Sequence, residues 1–281
     1  DVVEVGKSVS SKTARRVAVV ISLIVGVIFG SQFNANWSEI LLMFNAQSFG
    51  TTDPQFGLDN GFYVFVLPGL KLVLAAVAML LGVGLVFSVV THVLMGGIRI
   101  TMPVNGRGLF SITKRCRRQL GIWLMLNMFA WAVRQMIGVF DQLTVQGSRI
   151  TGASYTAVHA NIPVTFIMAA LTAILGVVLG IWLMRSHTLE GQASIGVRAS
   201  AALKAWRVPV TSIAVVVVVG LVLTVAWPVL LQRFRVNPNA QEMESTYIQR
   251  NIDATRAAYG LDKLKTEQYK VTDKGEQGAL A

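Results

Sequence analysis

The chain has 281 residues, of which 53% are hydrophobic and only 14% charged, and its mean hydropathy is +0.58. This balance excludes a water-soluble domain of comparable size and marks a membrane protein. The formal charge of +11 does not imply nucleic acid, because the basic residues fall in blocks between apolar runs instead of gathering on one soluble face.

Segment 1–15, with Lys7, Lys12 and Arg15, reads as a cytoplasmic lead-in. It starts at Asp1 without a Met or a signal-peptide pattern, so the chain is expected to be a piece of a longer protein. Five apolar segments then approach or exceed the roughly 20 residues that a membrane-crossing helix needs. They lie at about 16–32, 68–95, 119–143, 162–185 and 208–231, within a transmembrane region 16–232. Residues 233–281 begin an extracytoplasmic region. All five spans are predicted helical, because no alternating barrel pattern is present and a lone strand could not satisfy its backbone in lipid. The predicted fold class is an all-α polytopic transmembrane helix bundle with interfacial helices and an extracytoplasmic helical tail.

The connecting segments alternate in charge. Lys7, Lys12, Arg15 and Arg16 precede the first span, and residues 33–67 hold no Lys or Arg. Arg99, Arg107, Lys114, Arg115, Arg117 and Arg118 follow the second span, Arg149 alone follows the third, and Arg185, Arg198, Lys204 and Arg207 border the next connection. The positive-inside rule then predicts a multi-pass plasma-membrane protein with a cytoplasmic N-terminus and an extracytoplasmic C-terminus.

In the first span, Gly26 and Gly30 have the spacing that lets helices approach closely, either within the bundle or at a dimer seam. WSEILLMF, Trp37 to Phe44, is too short to cross and suits the outer interface. In 52–70, Asp53-Pro54 and Asn60-Gly61 are turn dipeptides, with Asn-Gly suited to positive φ, and Phe62, Tyr63 and Phe65 fit an aromatic belt. Pro68 suits a first helical turn. RGLFSITKRCRRQL, Arg107 to Leu120, puts Leu109, Ile112, Cys116 and Leu120 near one helical face. This predicts an interfacial helix whose Lys114, Arg115, Arg117 and Arg118 meet anionic lipid of the inner leaflet, with acylation of Cys116 a weaker option.

The third span carries a feature that a passive anchor does not require. Asn127, Arg134 and Asp141 are spaced by seven along one helix face. A cation at that depth must be paired, snorkel to the interface, or meet water or substrate, and these three readings stay open. Lys71, one turn into the second span, is a possible partner for Asp141. The fourth span repeats the small-residue pattern at Ala169, Ala173, Gly176 and Gly180. In the tail, Asn239 and Glu242 have the form of an N-cap with a reciprocal acid, and Gly260 that of a C-cap, bracketing a helix that packs one face on further protein or, alternatively, recognises a separate ligand. His92, His159 and His187 are isolated, and no Walker loop, HExxH or GxSxG pattern occurs. No catalytic residue, metal site or cofactor is therefore expected.

TDPQFGLDNGFYVFVLPGL (52–70), GASYTAVHANIP (152–163) and RFRVNPNAQEMESTYIQRNIDATRAAYGLD (233–262) resemble three signatures of the UPF0182 family of large bacterial membrane proteins. The resemblance implies two earlier helices and a large extracytoplasmic region outside this chain, and it supplies topology, not a reaction. Ala157 stands where the family pattern implies an Asp. The functional expectation is a membrane anchor or scaffold that docks other membrane or envelope protein subunits. The alternative is a transporter or lipid-handling protein that uses the polar face of the third span.

Overall fold

A computed structural model describes residues 11–100, 110–145, 151–186, 195–261 and 264. The expected lead-in 1–15 and the end of the tail fall mostly outside these residues, as do Arg107, Arg149 and His187. The helices are α1 (Ser11–Ala35), α2 (Trp37–Phe44), α3 (Leu67–Leu94), α4 (Lys114–Gly138), α5 (Ile162–Arg185), α6 (Ile195–Leu221), α7 (Trp227–Leu230) and α8 (Ala240–Ala258). The fold is an all-α bundle. Among the described residues it departs from helix in one short antiparallel pair, β1 (Ile98–Ile100) with β2 (Phe110–Ile112), in which Arg99 faces Ser111.

Among the described residues, five helical stretches are long and apolar enough to cross a membrane: Arg15–Ala35, Phe62–Leu94, Lys114–Leu143, Ala157–Arg185 and Arg207–Val236. The third begins five residues before the predicted boundary, which corrects the expected interfacial helix. Residues 110–112 form β2, and Thr113 caps α4 by accepting from the Cys116 amide. Ile112, Cys116 and Leu120 form a buried cluster against Leu85, Ile98 and Leu183. Cys116 is thus sealed in protein and is not available for acylation.

Three spans contain the same proline device. Leu67, Ile162 and Trp227 each precede a proline, and each donates its amide five residues back, to Phe62, Ala157 and Val222. A proline ring clashes with the carbonyl four residues earlier and leaves that carbonyl without its donor. Widening the turn to the π pattern accommodates the ring while keeping the flanking amide satisfied, which a lipid environment demands.

α4 is the centre of the bundle, with α3 on one side and α5 on the other. The α4–α5 seam depends on missing side chains. A Cβ on Gly176 would lie 2.4 Å from Met128 Cβ, and one on Gly180 would lie 2.3 Å from Met125 Cγ and 2.9 Å from the Gly121 carbonyl oxygen. Ala169 is buried on the same helix. The small-residue face of the fourth span is therefore spent inside this bundle. Gly26 and Gly30 differ, since added side chains there would meet nothing within 4 Å.

Gly180→Leu should therefore overpack the α4–α5 seam and lower stability by about 1 to 3 kcal/mol. Gly30→Leu should change it by less than about 0.5 kcal/mol. Thermal melting of the detergent-solubilised protein compares the two, and equal effects would mean that the seam is not close-packed.

Candidate functional site

The polar residues of the third span reach toward both neighbouring helices. Against α3, Gln119 meets His92 Nε2 at 2.9 Å, Asn127 Nδ2 donates to the Leu81 carbonyl at 3.0 Å, and Lys71 Nζ donates to Asp141 at 2.8 and 3.0 Å. Against α5 and the turn before it, Gln135 donates to Thr172 Oγ1 at 3.2 Å, and Gln142 accepts from Asn161 at 3.3 Å. Asn127 also donates to the Trp123 carbonyl of its own helix, which holds its amide in place. In lipid such bonds contribute about 0.6 kcal/mol each on average, but they fix helix register.

The structure thus separates the Asn127, Arg134 and Asp141 face. Asn127 and Asp141 are engaged with α3, whereas Arg134 is exposed and makes no hydrogen bond or ion pair among the described residues. The expected basic face also divides. Lys114, Arg115 and Arg118 are exposed, but Arg117 is fully buried and donates to the Ser186 carbonyl, so it cannot meet a lipid surface.

At the Asp141 end of α4, here termed the distal end, the loop 45–61 folds around two carboxylates. Asp53, 6% exposed, accepts from the amides of Gln55, Phe56 and Leu58 and from the Tyr63 hydroxyl. Burial alone would raise its pKa, but these donors outweigh burial and leave it lowered. Asp59 accepts from the Ser48 hydroxyl and from the amides of Phe49, Gly50 and Gly61, which lower its pKa to about 2. The Asn60-Gly61 pair is not the positive-φ turn expected from its sequence. Gly61 has φ −59°, and glycine is needed because a Cβ would sit 2.1 Å from the Gln47 carbonyl oxygen. The left-handed positions of this loop are Gly50, at φ 68°, and Gly57, at φ 69°. From this loop, Phe56 packs edge-to-face on Phe140 at 5.0 Å, and Phe62 does so at 5.3 Å.

The tail reaches the same end. Tyr155 stacks on His159 at 4.0 Å and meets Tyr247 edge-on, with Arg235 over its ring at 5.9 Å. Buried Glu244 accepts from the Tyr155 amide, Thr156 donates to Gln232, and Asn251 donates to the Thr151 carbonyl. α8 is thereby docked from Glu244 to Asn251, while Ile252 and Tyr259 remain exposed. Asn239 sits at the N-cap of α8 but makes no side-chain capping bond, and its amide donates to the Val236 carbonyl of the preceding turn. Gly260 ends the helix at φ 66°. Ala157 is buried in the π turn that opens the fourth span. The Asp53 and Asp59 nests and the Tyr155–Tyr247 contact are geometry that sequence reading missed, whereas Gln135 and Gln142 stood beside the polar face in the sequence and the structure shows which helices they reach.

The geometry defines a class: a polytopic helical membrane bundle whose loops and tail fold onto one end of a central polar span. The chain belongs to the UPF0182 family, described as an uncharacterised protein family, whose model matches residues 1–281. It is 79% identical over its full length to a UPF0182 protein of Bifidobacterium adolescentis and covers 26% of that protein. It is 36% identical over 94% of its length to a relative from Kocuria rhizophila, covering 24% of it. A Corynebacterium glutamicum relative is 34% identical over 88% of the chain, which covers 23% of that protein. The chain therefore spans about a quarter of the length of these relatives. No solved structure matches.

Two predictions follow from the site. The Lys71 and Asp141 side chains are 46% and 37% exposed, so a double-mutant cycle with Lys71→Gln and Asp141→Asn should give a coupling below about 1 kcal/mol. A larger coupling of Asp141 to Arg134 than to Lys71 would contradict the geometry. Because Asp53 and Asp59 titrate below the ordinary value of 3.8, their charged forms favour the folded loop above that pH, and this contribution is lost as pH falls below it, toward about 2 for Asp59. Amide exchange at Phe49, Gly50 and Gly61, corrected for intrinsic rate, should stay slow from neutral pH to the ordinary carboxylate value and rise below it. Asp59→Asn should produce the same loosening at neutral pH.

Proposed function

We propose that this part of the protein is a membrane anchor and scaffold that fixes an extracytoplasmic region to the bundle and docks other membrane or envelope protein subunits. The observation that supports it most is the docking of α8 on residues 151–161 through Tyr155, Tyr247, Glu244 and Asn251. A segment that leaves the last span is thereby clamped to the bundle instead of hanging free. In this reading the protein sits in the bacterial plasma membrane with the distal end extracytoplasmic, as the Lys and Arg alternation favours. Lys114, Arg115 and Arg118 then meet anionic inner-leaflet lipid. The transporter alternative has less support, because Asn127 and Asp141, which would line its path, are spent on bonds to α3.

In the full-length protein, Glu244→Gln combined with Tyr247→Ala should raise amide exchange over 240–258 without changing the spans. The same variant should lower recovery of envelope proteins that co-purify in mild detergent. Transport of a defined solute by the full-length protein in liposomes, with co-purification unchanged in the variant, would overturn the proposal. A cysteine placed at Gln277 should react with an impermeant maleimide without lysis, and labelling only after lysis would reverse the threading.

A further inference from the structure

Between its contacts to α3 and α5, α4 has two uncovered sides of opposite character. On one side lie Ile122, Leu126, Phe129 and Met136, all exposed and apolar, which suits lipid tails. On the other lie Trp131, which is 60% exposed, Arg134 and Gly138, with open space around Gly138. At 3.6 residues per turn these three fall within about 60° of one another, along the seam with α3.

Among the described residues, that seam is short of one anion. It holds two cations, Lys71 and Arg134, and one carboxylate, Asp141, which is committed to Lys71. Opposite Arg134, α3 offers only apolar residues from Leu72 to Leu80. Snorkelling does not relieve the charge. Arg134 lies seven residues, about 10 Å along the axis, from Asp141 at the nearer end, and side chains on a helix lean toward its N-terminus. Arg134 therefore starts away from the nearer boundary. A guanidinium held in hydrocarbon is costly without a partner, and its fork geometry fits a carboxylate. A second copy of this chain cannot supply one, since Asp141 is the only carboxylate within its predicted spans.

We propose that the α3–α4 seam at Trp131, Arg134 and Gly138 is a lateral docking face for a transmembrane helix of a separate membrane protein that carries an aspartate or glutamate at the depth of Arg134. Gly138 lets that helix approach, Trp131 packs on it, and the acid completes the charge balance. This goes beyond the anchor reading, which rests on a different face and is tested at α8.

The test uses the full-length protein in bacterial membranes, with a photo-crosslinking phenylalanine analogue replacing Trp131. The expected adduct joins position 131 to an Asp- or Glu-bearing transmembrane helix of a separate protein, identified by peptide mass spectrometry, and an adduct only within this protein's own sequence would overturn the proposal. Arg134→Gln should cut adduct yield at least about ten-fold, as expected when a desolvated charge pair is broken, while Arg134→Lys should keep most of it. Arg134→Glu together with Arg in place of the partner acid should restore the adduct. Adducts only with phospholipid, with a helix lacking an acid or with a second copy would overturn the proposal. So would a yield unchanged by Arg134→Gln in protein that melts normally.

Discussion

A polar group placed among lipid tails must find its partner within the protein, and in this chain that constraint acts through α4. Its glutamines, its asparagine and Asp141 each reach a neighbouring helix, and no other described span sends side chains to two sides in this way. Individually these bonds are weak, but together they fix the register of α3 and α5 against α4. The absence of side chains at Gly176 and Gly180 does the same for α5 by steric fit. Polar bonds and the fit of Trp123 against Gly84 set the α3 side, and close packing sets most of the α5 side.

The loops inherit that order. The two π turns ahead of Pro68 and Pro163 set where the second and fourth spans begin, and both turns abut the last residues of the third. The Asp53 and Asp59 nests then replace the backbone pairing that a short loop would lack, and Phe56 and Phe62 cap Phe140. With α8 laid on 151–161, segments distant in sequence meet at one end of the bundle. The three stretches that resemble family signatures all lie there.

Much of the architecture was legible because its physics is one-dimensional. Apolar length and pre-helix prolines are read directly along the chain, and they predicted an all-α chain with apolar membrane-length helices. The start of α4 was misread because 107–120 has a helical apolar pattern, while pairing of 98–100 with 110–112 depends on a contact that periodicity does not encode. Arg117 shows the same limit: it lies in a basic run, yet its side chain is sealed by Ser186 some 69 residues away. Lys71 and Asp141 could be matched because lone charges in spans are rare. Tyr155 and Tyr247 could not, since aromatic residues are common at membrane boundaries and nothing local links these two. In 52–61 the composition signalled turns, but which glycine takes positive φ depended on the Asp53 nest closing over Gly57.

The central claim is that the distal end of α4 gathers the loop 45–61, the turn 151–161 and the tail into one junction. Paired-cysteine crosslinking in membranes, in a Cys116→Ala background with a short bis-maleimide, tests it directly at Phe56 with Phe140 and at Thr156 with Gln232. The account predicts rapid intramolecular crosslinking of both pairs in native membranes, and its loss on denaturation before reagent is added. Failure of either pair to react in folded protein would contradict the junction.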